Sequence, residues 1–289
     1  MSRNSKSIVY ICNQTLKSKT RFGESKHEAK IAGNANQYIY SYNTFETYRK
    51  WVNNMIKWAR NKGYKLRTLE DVDKHSVDYL QHLINNNYSP YTIKLARSSL
   101  SKLLGVEYSH FDIDIPTRKR SEITRSRNRE LALKNFSEAK NMEQVIFCKT
   151  TGCRAFEARA AVGDNLRLIK GEYYLFIPRG KGGKSRLAKL YGTEEEINLV
   201  VQLCQNVGSD LVLPNFKNAA NTHGYRADYA QRVYLANCRD LSTINRHEIM
   251  YSRNDMKGRK LDKKALLVTS KMLGHNRISV VANNYLYNL

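Results

Sequence analysis

Residues 151–157, Thr-Gly-Cys-Arg-Ala-Phe-Glu, lie between two segments whose patterns predict helices, residues 137–149 and 154–162. Arg154 begins the second helix, and Glu157 follows it by one helical turn. On its own, Arg154 is as well explained as one more surface arginine. The stretch gains its meaning from the residues around it in the 289-residue chain.

The residues after this stretch predict a small antiparallel sheet. Residues 166–169 and 173–177 alternate as strands around a Lys-Gly-Glu turn, and residues 185–190 form a third strand after a glycine-rich turn. Four later helices are predicted, over residues 193–205, 225–239, 263–273 and 277–286. The second half of the chain is therefore expected to be a mixed α/β domain.

The first half predicts a small helical bundle. Apolar residues recur at helical spacing over residues 45–59, 69–86 and 93–103, and an earlier helix is expected over residues 25–40. Ser89-Pro90 is a helix start, with a capping hydroxyl followed by proline at the first helical position. The fold class is thus mainly α with a small β-sheet.

Residues 112–129 break the helical pattern, with one proline and a dense run of arginine and lysine. They predict a basic linker between a first domain at residues 1–111 and a second at residues 130–289. The net charge is +10 in the first domain, +3 in the linker and +10 in the second domain, which gives the total of +23. A basic excess in both halves indicates a polyanionic partner.

Composition excludes several other classes of protein. Hydrophobic residues make up 41% of the chain, which is enough for real cores. No apolar run is long enough for a membrane span, and residues 1–14 show no long apolar core followed by a cleavage site, so secretion is not expected. The five cysteines are scattered without a CxxC pair, so neither a disulfide framework nor a structural zinc site is indicated.

Further short segments of the second half carry chemistry. They are Gly-Lys-Gly-Gly-Lys at residues 180–184, His-Gly-Tyr-Arg at 223–226, Leu-Gly-His at 273–275, and Tyr285 ten residues after the last histidine. Each is weak alone, because a lysine in a turn, a lone histidine or one of 19 tyrosines usually has a structural role.

Taken together and in this order, the segments closely resemble the tyrosine recombinase, or phage integrase, family. The resemblance covers essentially the whole chain and implies a helical core-binding (SAM-like) domain followed by a catalytic domain. It maps the active site of the family to six residues and the orienting acid to Glu157; the six are Arg154, Lys181, His223, Arg226, His275 and Tyr285.

These residue types suit transfer of a phosphodiester. Two arginines can hold the non-bridging oxygens of a transition state that gains negative charge. A tyrosine nucleophile conserves the bond energy in a phosphotyrosine link, and Lys181 can protonate the leaving 5′-oxygen. The histidines can take the tyrosine proton or bind the phosphate. A site this cationic repels divalent metal ions, so no metal or other cofactor is expected.

The resemblance also implies the reaction and its partners. Strands of double-stranded DNA would be exchanged through a 3′-phosphotyrosine intermediate and a Holliday junction. The protein would act as a tetramer on synapsed sites, with accessory DNA-bending or directionality factors and no membrane. It would be cytoplasmic and nucleoid-associated, in a bacterial or phage setting.

Three positions leave alternatives open. Tyr287 is a second tyrosine near the C-terminus, but in a helix it would point about 200° away from Tyr285. His247 rivals His223 but lacks the following arginine of the HxxR pattern. Residues 240–262 form a basic insertion between Arg226 and His275, which we expect to be a hairpin or loop contacting DNA or a neighbouring subunit, or a solvated surface segment.

Basic side chains on predicted polar helix faces and in the linker are the candidate DNA contacts, with a solvated surface as the alternative. They are Arg49, Lys50, Lys57, Arg60, Lys94, Arg97, Lys102, Arg118, Lys119 and Arg120.

The predicted function is site-specific DNA recombination by the integrase of a mobile element. The alternatives are a Xer-like recombinase that resolves chromosomes or plasmids, and a DNA-binding protein without catalysis. An RNA-binding module is a third class, but no RNP or KH signature supports it. The chain ends four residues after Tyr285, which leaves open how subunits would interlock.

Overall fold

The computed structural model describes residues 6–120, 122–123, 135–253, 256–287 and 289. The chain divides into two compact units, Met1–Arg118 and Lys119–Leu289. Residues 121 and 124–129 of the predicted linker lie outside the described residues. The boundaries predicted from composition therefore stay a prediction.

The first unit is a helical bundle, as the sequence predicts. Its two main helices, α3 and α6, supply much of the core, and α6 begins at the expected Ser89 cap, whose hydroxyl accepts from the Thr92 amide at 3.2 Å. The helices are α1 (Ile8–Ser18), α2 (Lys26–Ile31), α3 (Tyr42–Asn61), α4 (Leu69–Lys74), α5 (Ser76–Asn85) and α6 (Pro90–Leu104).

The bundle corrects three details of the prediction. Helix α1 was not predicted, although Ile8, Cys12 and Leu16 bury one face at helical spacing. The helix expected over residues 25–40 is limited to α2, because the chain turns afterwards and Ile39 pairs with Thr20 in a parallel bridge. The helix expected over residues 69–86 is divided into α4 and α5 at a turn.

The second unit contains the three predicted strands in one antiparallel sheet of order β1-β2-β3. The strands are β1 (Leu166–Ile169), β2 (Glu172–Ile177) and β3 (Arg186–Lys189). The helices are α7 (Met142–Thr151), α8 (Ala155–Arg159), α9 (Glu194–Val207), α10 (Thr222–Asn237), α11 (Lys263–Met272) and α12 (Ile278–Asn284).

Residues 240–262 contain a two-stranded antiparallel hairpin, β4 (Ile249–Tyr251) and β5 (Lys260–Asp262), preceded by a 3₁₀ turn at Arg246–Glu248. A hairpin was one of the conformations expected for this insertion. Residues 254 and 255, between the strands, lie outside the described residues.

Two hydrophobic clusters fill the second unit. One packs the three-stranded sheet against α7 and α9, and the other joins α10, α11 and α12. A close backbone approach couples the clusters at Gly152, where φ is +62° and a Cβ atom would lie 2.3 Å from the Tyr229 ring. Only glycine fits there, and its left-handed conformation lets the chain turn sharply between α7 and Arg154. Within the described part of the chain, no helix combines the length and apolarity that a membrane crossing needs.

Candidate active site

The centre of the site is Arg226 on α10, which is fully buried. Its guanidinium donates to the carbonyl oxygens of Gly152 and Leu273, the second at 2.5 Å, and its Nε donates to the Tyr285 hydroxyl at 3.3 Å. His275 Nε2 lies 3.3 Å from the same hydroxyl and 3.5 Å from Nη2 of Arg226. We call Arg226, His275 and Tyr285 the tyrosine cluster.

The Leu-Gly-His segment positions the imidazole. Gly274 has φ +66° after the end of α11, and this left-handed residue turns the chain back towards α10. The His275 amide donates to the Ser270 carbonyl at 2.8 Å, and the Ser270 hydroxyl donates to the His275 carbonyl at 2.8 Å. Two hydrogen bonds to one serine therefore fix the backbone that carries the ring.

Tyr285, not Tyr287, belongs to this cluster. Helix α12 ends at Asn284, two residues earlier than expected, so the helical separation of the two tyrosines does not apply. The Tyr285 side chain is nevertheless buried with its hydroxyl between Arg226 and His275. Tyr287 is half-buried and packs against the apolar cluster of α10, α11 and α12.

Arg154 and Glu157 meet as the sequence predicts. Arg154 Nη1 donates to Glu157 Oε1 at 2.7 Å, and the Arg154 amide donates to Oε2 at 2.8 Å. The Glu157 carboxylate is fully buried. Although burial alone would raise its pKa, bonds from Arg186 and Arg154 lower the pKa of Glu157 to about 2.

Arg186 is the partner that the sequence reasoning missed. From β3 it binds both carboxylate oxygens of Glu157, at 2.9 and 2.7 Å, and its Nε donates to the Met272 carbonyl at 3.1 Å. It therefore links the strand, the Arg154 segment and the end of α11 before His275. The sequence feature that could have indicated Arg186 is its position, two residues after the glycine-rich turn and at the start of β3.

The remaining two predicted residues are Lys181, on another element, and His223, on the same helix as Arg226. Lys181 lies in the turn between β2 and β3, and His223 lies in the first turn of α10. The positive charges of Arg226, Arg154 and Lys181 all act on His223 and, with desolvation as the largest cause, lower its pKa. Arg154, Lys181 and Arg226 thus lie within electrostatic range of His223.

The pKa of His275 is lowered to about 4, first by burial and then by the charges of Arg226, Arg154, Arg186 and Lys181. The imidazole is therefore neutral near pH 7 in the DNA-free protein. A neutral Nε2 facing the Arg226 guanidinium, which only donates, must be the acceptor. Nε2 also lies 3.3 Å from the Tyr285 hydroxyl, and its one lone pair can accept that proton in place of the contact with Arg226.

The predicted DNA contacts on α3 are largely exposed. Lys50, Lys57 and Arg60 point to solvent, and Arg49 forms a 2.5 Å ion pair with Glu46 one turn away. An exposed pair of this kind contributes little to stability and can exchange its carboxylate for a phosphate.

The other predicted DNA contacts on the first unit differ in their exposure to solvent and in their contacts within the protein. Lys94 is exposed, whereas the Arg97 guanidinium lies 4.7 Å from the centre of the Tyr108 ring. Lys102 donates to the Asn36 carbonyl, and burial, with nearby lysines, lowers its pKa to about 8. In the DNA-free protein, Lys102 therefore makes a hydrogen bond within the first unit.

The three linker cations are partly engaged as well. Arg118 lies 5.0 Å from the centre of the Tyr91 ring, and Lys119 pairs with Glu122 at 3.3 Å. Arg120 donates to the Asn283 carbonyl at 3.3 Å, next to the tyrosine-bearing segment.

Comparison with known proteins places the fold. Across 96% of this chain and 90% of the other, at 14% identity and a TM-score of 0.51, the structure is similar to the XerH site-specific recombinase bound to palindromic difH substrate in a post-cleavage complex. It is also similar to the Tn1549 transposon integrase in complex with transposon right end DNA (12% identity, 98% and 95% coverage, TM-score 0.45). No curated protein sequence matches the chain.

The chain therefore has the fold of a tyrosine recombinase. More particularly, residues 30–105 match the phage integrase N-terminal SAM-like domain. The resemblance and fold class inferred from the sequence are confirmed.

Proposed function

We propose that this protein is a site-specific DNA recombinase in which Tyr285 attacks a DNA phosphodiester. The observation that carries the proposal is the Tyr285 hydroxyl, held at 3.3 Å from both Arg226 Nε and His275 Nε2. A tyrosine bonded to a buried arginine and a neutral imidazole is poised for deprotonation beside a positive charge. The shared fold with a recombinase captured after cleavage supports the same reaction class.

In the cleavage step, Tyr285 Oη bonds to phosphorus and its proton passes to His275 Nε2. The bond from phosphorus to the 5′-oxygen breaks, and Lys181 gives a proton to that oxygen. The products are a 3′-phosphotyrosine and a free 5′-hydroxyl. Arg154, Arg226 and His223 stabilise the charge on the non-bridging oxygens.

Glu157 serves as the orienting acid. It neutralises part of the cation cluster and fixes Arg154 through two hydrogen bonds. A pre-positioned guanidinium needs no reorganisation when the charge of the transition state develops.

Strand exchange completes the reaction. A 5′-hydroxyl from a partner duplex attacks the phosphotyrosine, and repetition on the second pair of strands resolves a Holliday junction. A tetramer on two synapsed sites supplies the four tyrosines. Accessory bending or directionality factors would set the outcome, and the enzyme would work in the bacterial cytoplasm on the nucleoid.

DNA would be held by basic surfaces of both units. On the first, the exposed cations of α3 and Lys94 are the strongest candidates, since Lys102 is engaged within its own unit. Binding through phosphates predicts a steep decrease of affinity with salt.

Integration of a mobile element is the proposed role, and resolution of chromosome or plasmid multimers is the alternative. A DNA-binding protein without catalysis is the candidate from a different class. The six-residue arrangement argues against it, because binding alone does not need a buried tyrosine hydroxyl between an arginine and a histidine.

The test is incubation, in EDTA, with a library of nicked duplexes that trap a cleaved strand. Wild type should form an SDS-resistant adduct joined through a 3′-phosphate, and Tyr285→Phe should bind equally but form none. Tyr287→Phe is the matched control and should retain the adduct. Binding without an adduct in wild type would favour the non-catalytic alternative, and the sequence of the trapped DNA would separate element ends from a resolution site.

A further inference from the structure

The insertion at residues 240–262 separates the segment that carries Arg226 from the segment that carries His275. None of the reaction steps proposed above uses a residue of this insertion. Its described part is an ordered hairpin, β4 with β5, and not an open loop. The contacts of this hairpin with the rest of the second unit indicate what it does.

The base of the hairpin is anchored by Arg239, just after α10. Its side chain binds Glu248, before β4, at 2.7 Å and Asp262, at the end of β5, at 2.7 and 2.9 Å. Asp262 is fully buried, and these bonds hold its pKa well below the usual range. One arginine therefore ties the start and end of the hairpin to the helix that carries Arg226.

Strand pairing then determines where Arg259 lies. Tyr251 pairs with Lys260, and the Ser252 amide donates to the Arg259 carbonyl at 3.0 Å. Arg259 is thus held in register one residue before β5.

The Arg259 side chain reaches the tyrosine-bearing segment. Nη1 donates to the Ala282 carbonyl at 3.0 Å, and Nη2 donates to the Leu286 carbonyl. At the end of α12, the Leu286 amide donates to Val281 and not to Ala282. The guanidinium therefore binds carbonyls at a helix C-terminus, where a cation is also favoured by the helix dipole.

These two carbonyls flank Tyr285. Residues 285 and 286 follow α12. Both of their amides still donate to the Val281 carbonyl, at 3.0 and 3.3 Å, and the Tyr285 carbonyl accepts from Gln231 Nε2 at 3.4 Å, so Arg259 adds to these bonds at the helix end. Leu261 of β5 also belongs to the same buried apolar cluster as Val281 and Leu286.

We propose that the insertion is an intramolecular brace for the nucleophile, with Arg259 as the positioning residue of Tyr285. The role of Tyr285 as the nucleophile rests on the proposed function. The hairpin holds the last turn of α12 and residues 285–286 so that the tyrosine hydroxyl stays between Arg226 and His275. The described contacts of the hairpin are with its own chain, and the DNA or neighbouring-subunit contact expected from sequence, or a solvated surface, stays a prediction.

The first test needs no DNA. Amide hydrogen exchange of the full chain is compared for wild type, Arg259→Ala and Lys257→Ala, an exposed cation of the same hairpin. Arg259→Ala should accelerate exchange about 10-fold or more over residues 281–287 and leave β1 to β3 unchanged. Lys257→Ala should match wild type. Unchanged exchange over residues 281–287 in Arg259→Ala would overturn the brace.

The second test separates the nucleophile from the phosphate pocket. Arg259→Ala should form the tyrosine adduct about 10- to 100-fold more slowly at unchanged DNA affinity, because a small displacement of a reacting group is costly. In a Tyr285→Phe background, hydrogen peroxide is supplied as the nucleophile. Peroxide cleavage should be equally fast with and without the added Arg259→Ala substitution, since Arg154, Arg226 and Lys181 are untouched.

The outcomes distinguish the two proposals. Slower peroxide cleavage on adding Arg259→Ala would mean general damage to the site and contradict a positioning role. Equal weakening of DNA binding by Arg259→Ala and Lys257→Ala, with unchanged exchange, would make the hairpin a DNA contact instead. Absence of any adduct in wild type would refute the proposed function, whereas the exchange result would still decide whether the hairpin braces α12.

Discussion

The tyrosine cluster and the Lys181 turn belong to one candidate site but are built differently. Arg226 is fully buried and binds two backbone carbonyls as well as the Tyr285 hydroxyl. Lys181 is exposed in a turn whose next two residues, Gly182 and Gly183, have φ of +80° and +77°. The first region is fixed by the core, and the second is held mainly by the strands on either side.

The difference separates two tasks. Charge stabilisation and alignment of the nucleophile benefit from groups that are in place before the substrate arrives. Protonation of a leaving group needs a donor that can approach once the phosphate is bound. We expect substitutions in the tyrosine cluster to affect stability and cleavage together, and substitutions in the turn to affect cleavage alone.

Arg226→Met should have the largest effect. The substitution leaves the Gly152 and Leu273 carbonyls without the Arg226 donor. It also removes the positive charge of Arg226, which stabilises the negative charge of the transition state. We expect the free energy of unfolding to decrease by about 2–3 kcal/mol and adduct formation to slow by about 10³-fold. Urea unfolding and trapped-adduct rates measure the two quantities.

Arg232→Met is the matched control on the same helix, because Arg232 binds Glu196 at 2.6 Å on the partly exposed side. It should leave the adduct rate within a few fold of wild type. If Arg226→Met were as stable as Arg232→Met, the tyrosine cluster would not be part of the folded core in the way that the contacts indicate.

Lys181→Ala should slow cleavage on the order of 10²-fold, through loss of the proton donor, with no change in the urea midpoint. A substrate whose bridging 5′-oxygen is replaced by sulfur provides the sharper measurement, because a thiolate leaves without a proton. Lys181→Ala should cleave that substrate as fast as wild type. An undiminished defect on the sulfur substrate would assign Lys181 to phosphate binding instead.

The same contrast explains what could be predicted from sequence. The strands and most helices follow local patterns, since glycine turns and caps are read over a few positions. The candidate site residues were named from the order of short motifs along the chain, and their catalytic roles stay a prediction. Arg186 and Arg259 could not be found in this way. Their roles depend on contacts with Glu157, Met272 and Ala282, which are far away in sequence.

Helix ends were also hard to predict where tertiary contacts decide them. The separation of α4 from α5 accompanies stacking of the His75 ring on Tyr64, at 4.0 Å between ring centres. Likewise, α12 stops before Tyr285, whose hydroxyl is instead held by Arg226 and His275. The apolar spacing weakens between Val72 and Val77, but it does not by itself locate either break.

Arg186→Met tests the link between the turn and the cluster. It removes two hydrogen bonds from the buried Glu157 carboxylate but leaves Arg154 in place. We expect the free energy of unfolding to decrease by about 2 kcal/mol, less than for a buried charge left wholly unpaired. In the double variant with Glu157→Gln, the further cost of losing Arg186 should be smaller, and a double-mutant cycle by urea unfolding measures this coupling. Additive costs would mean that the carboxylate does not depend on Arg186.

The smallest effect concerns the proton on His275. Its pKa is about 4 in the folded, DNA-free protein, against an ordinary value of 6.5. Because the folded value is the lower one, the contribution of His275 to stability is complete above pH 6.5 and is lost as the pH decreases towards 4.

The imidazole signal assigned by comparison with His275→Asn should titrate near pH 4 by NMR. A bound DNA phosphate supplies negative charge and should raise that midpoint by about one unit. A midpoint of 6.5 without DNA would mean that Arg226 and burial do not keep the imidazole neutral, and His275 would then be largely unable to accept the tyrosine proton below that pH.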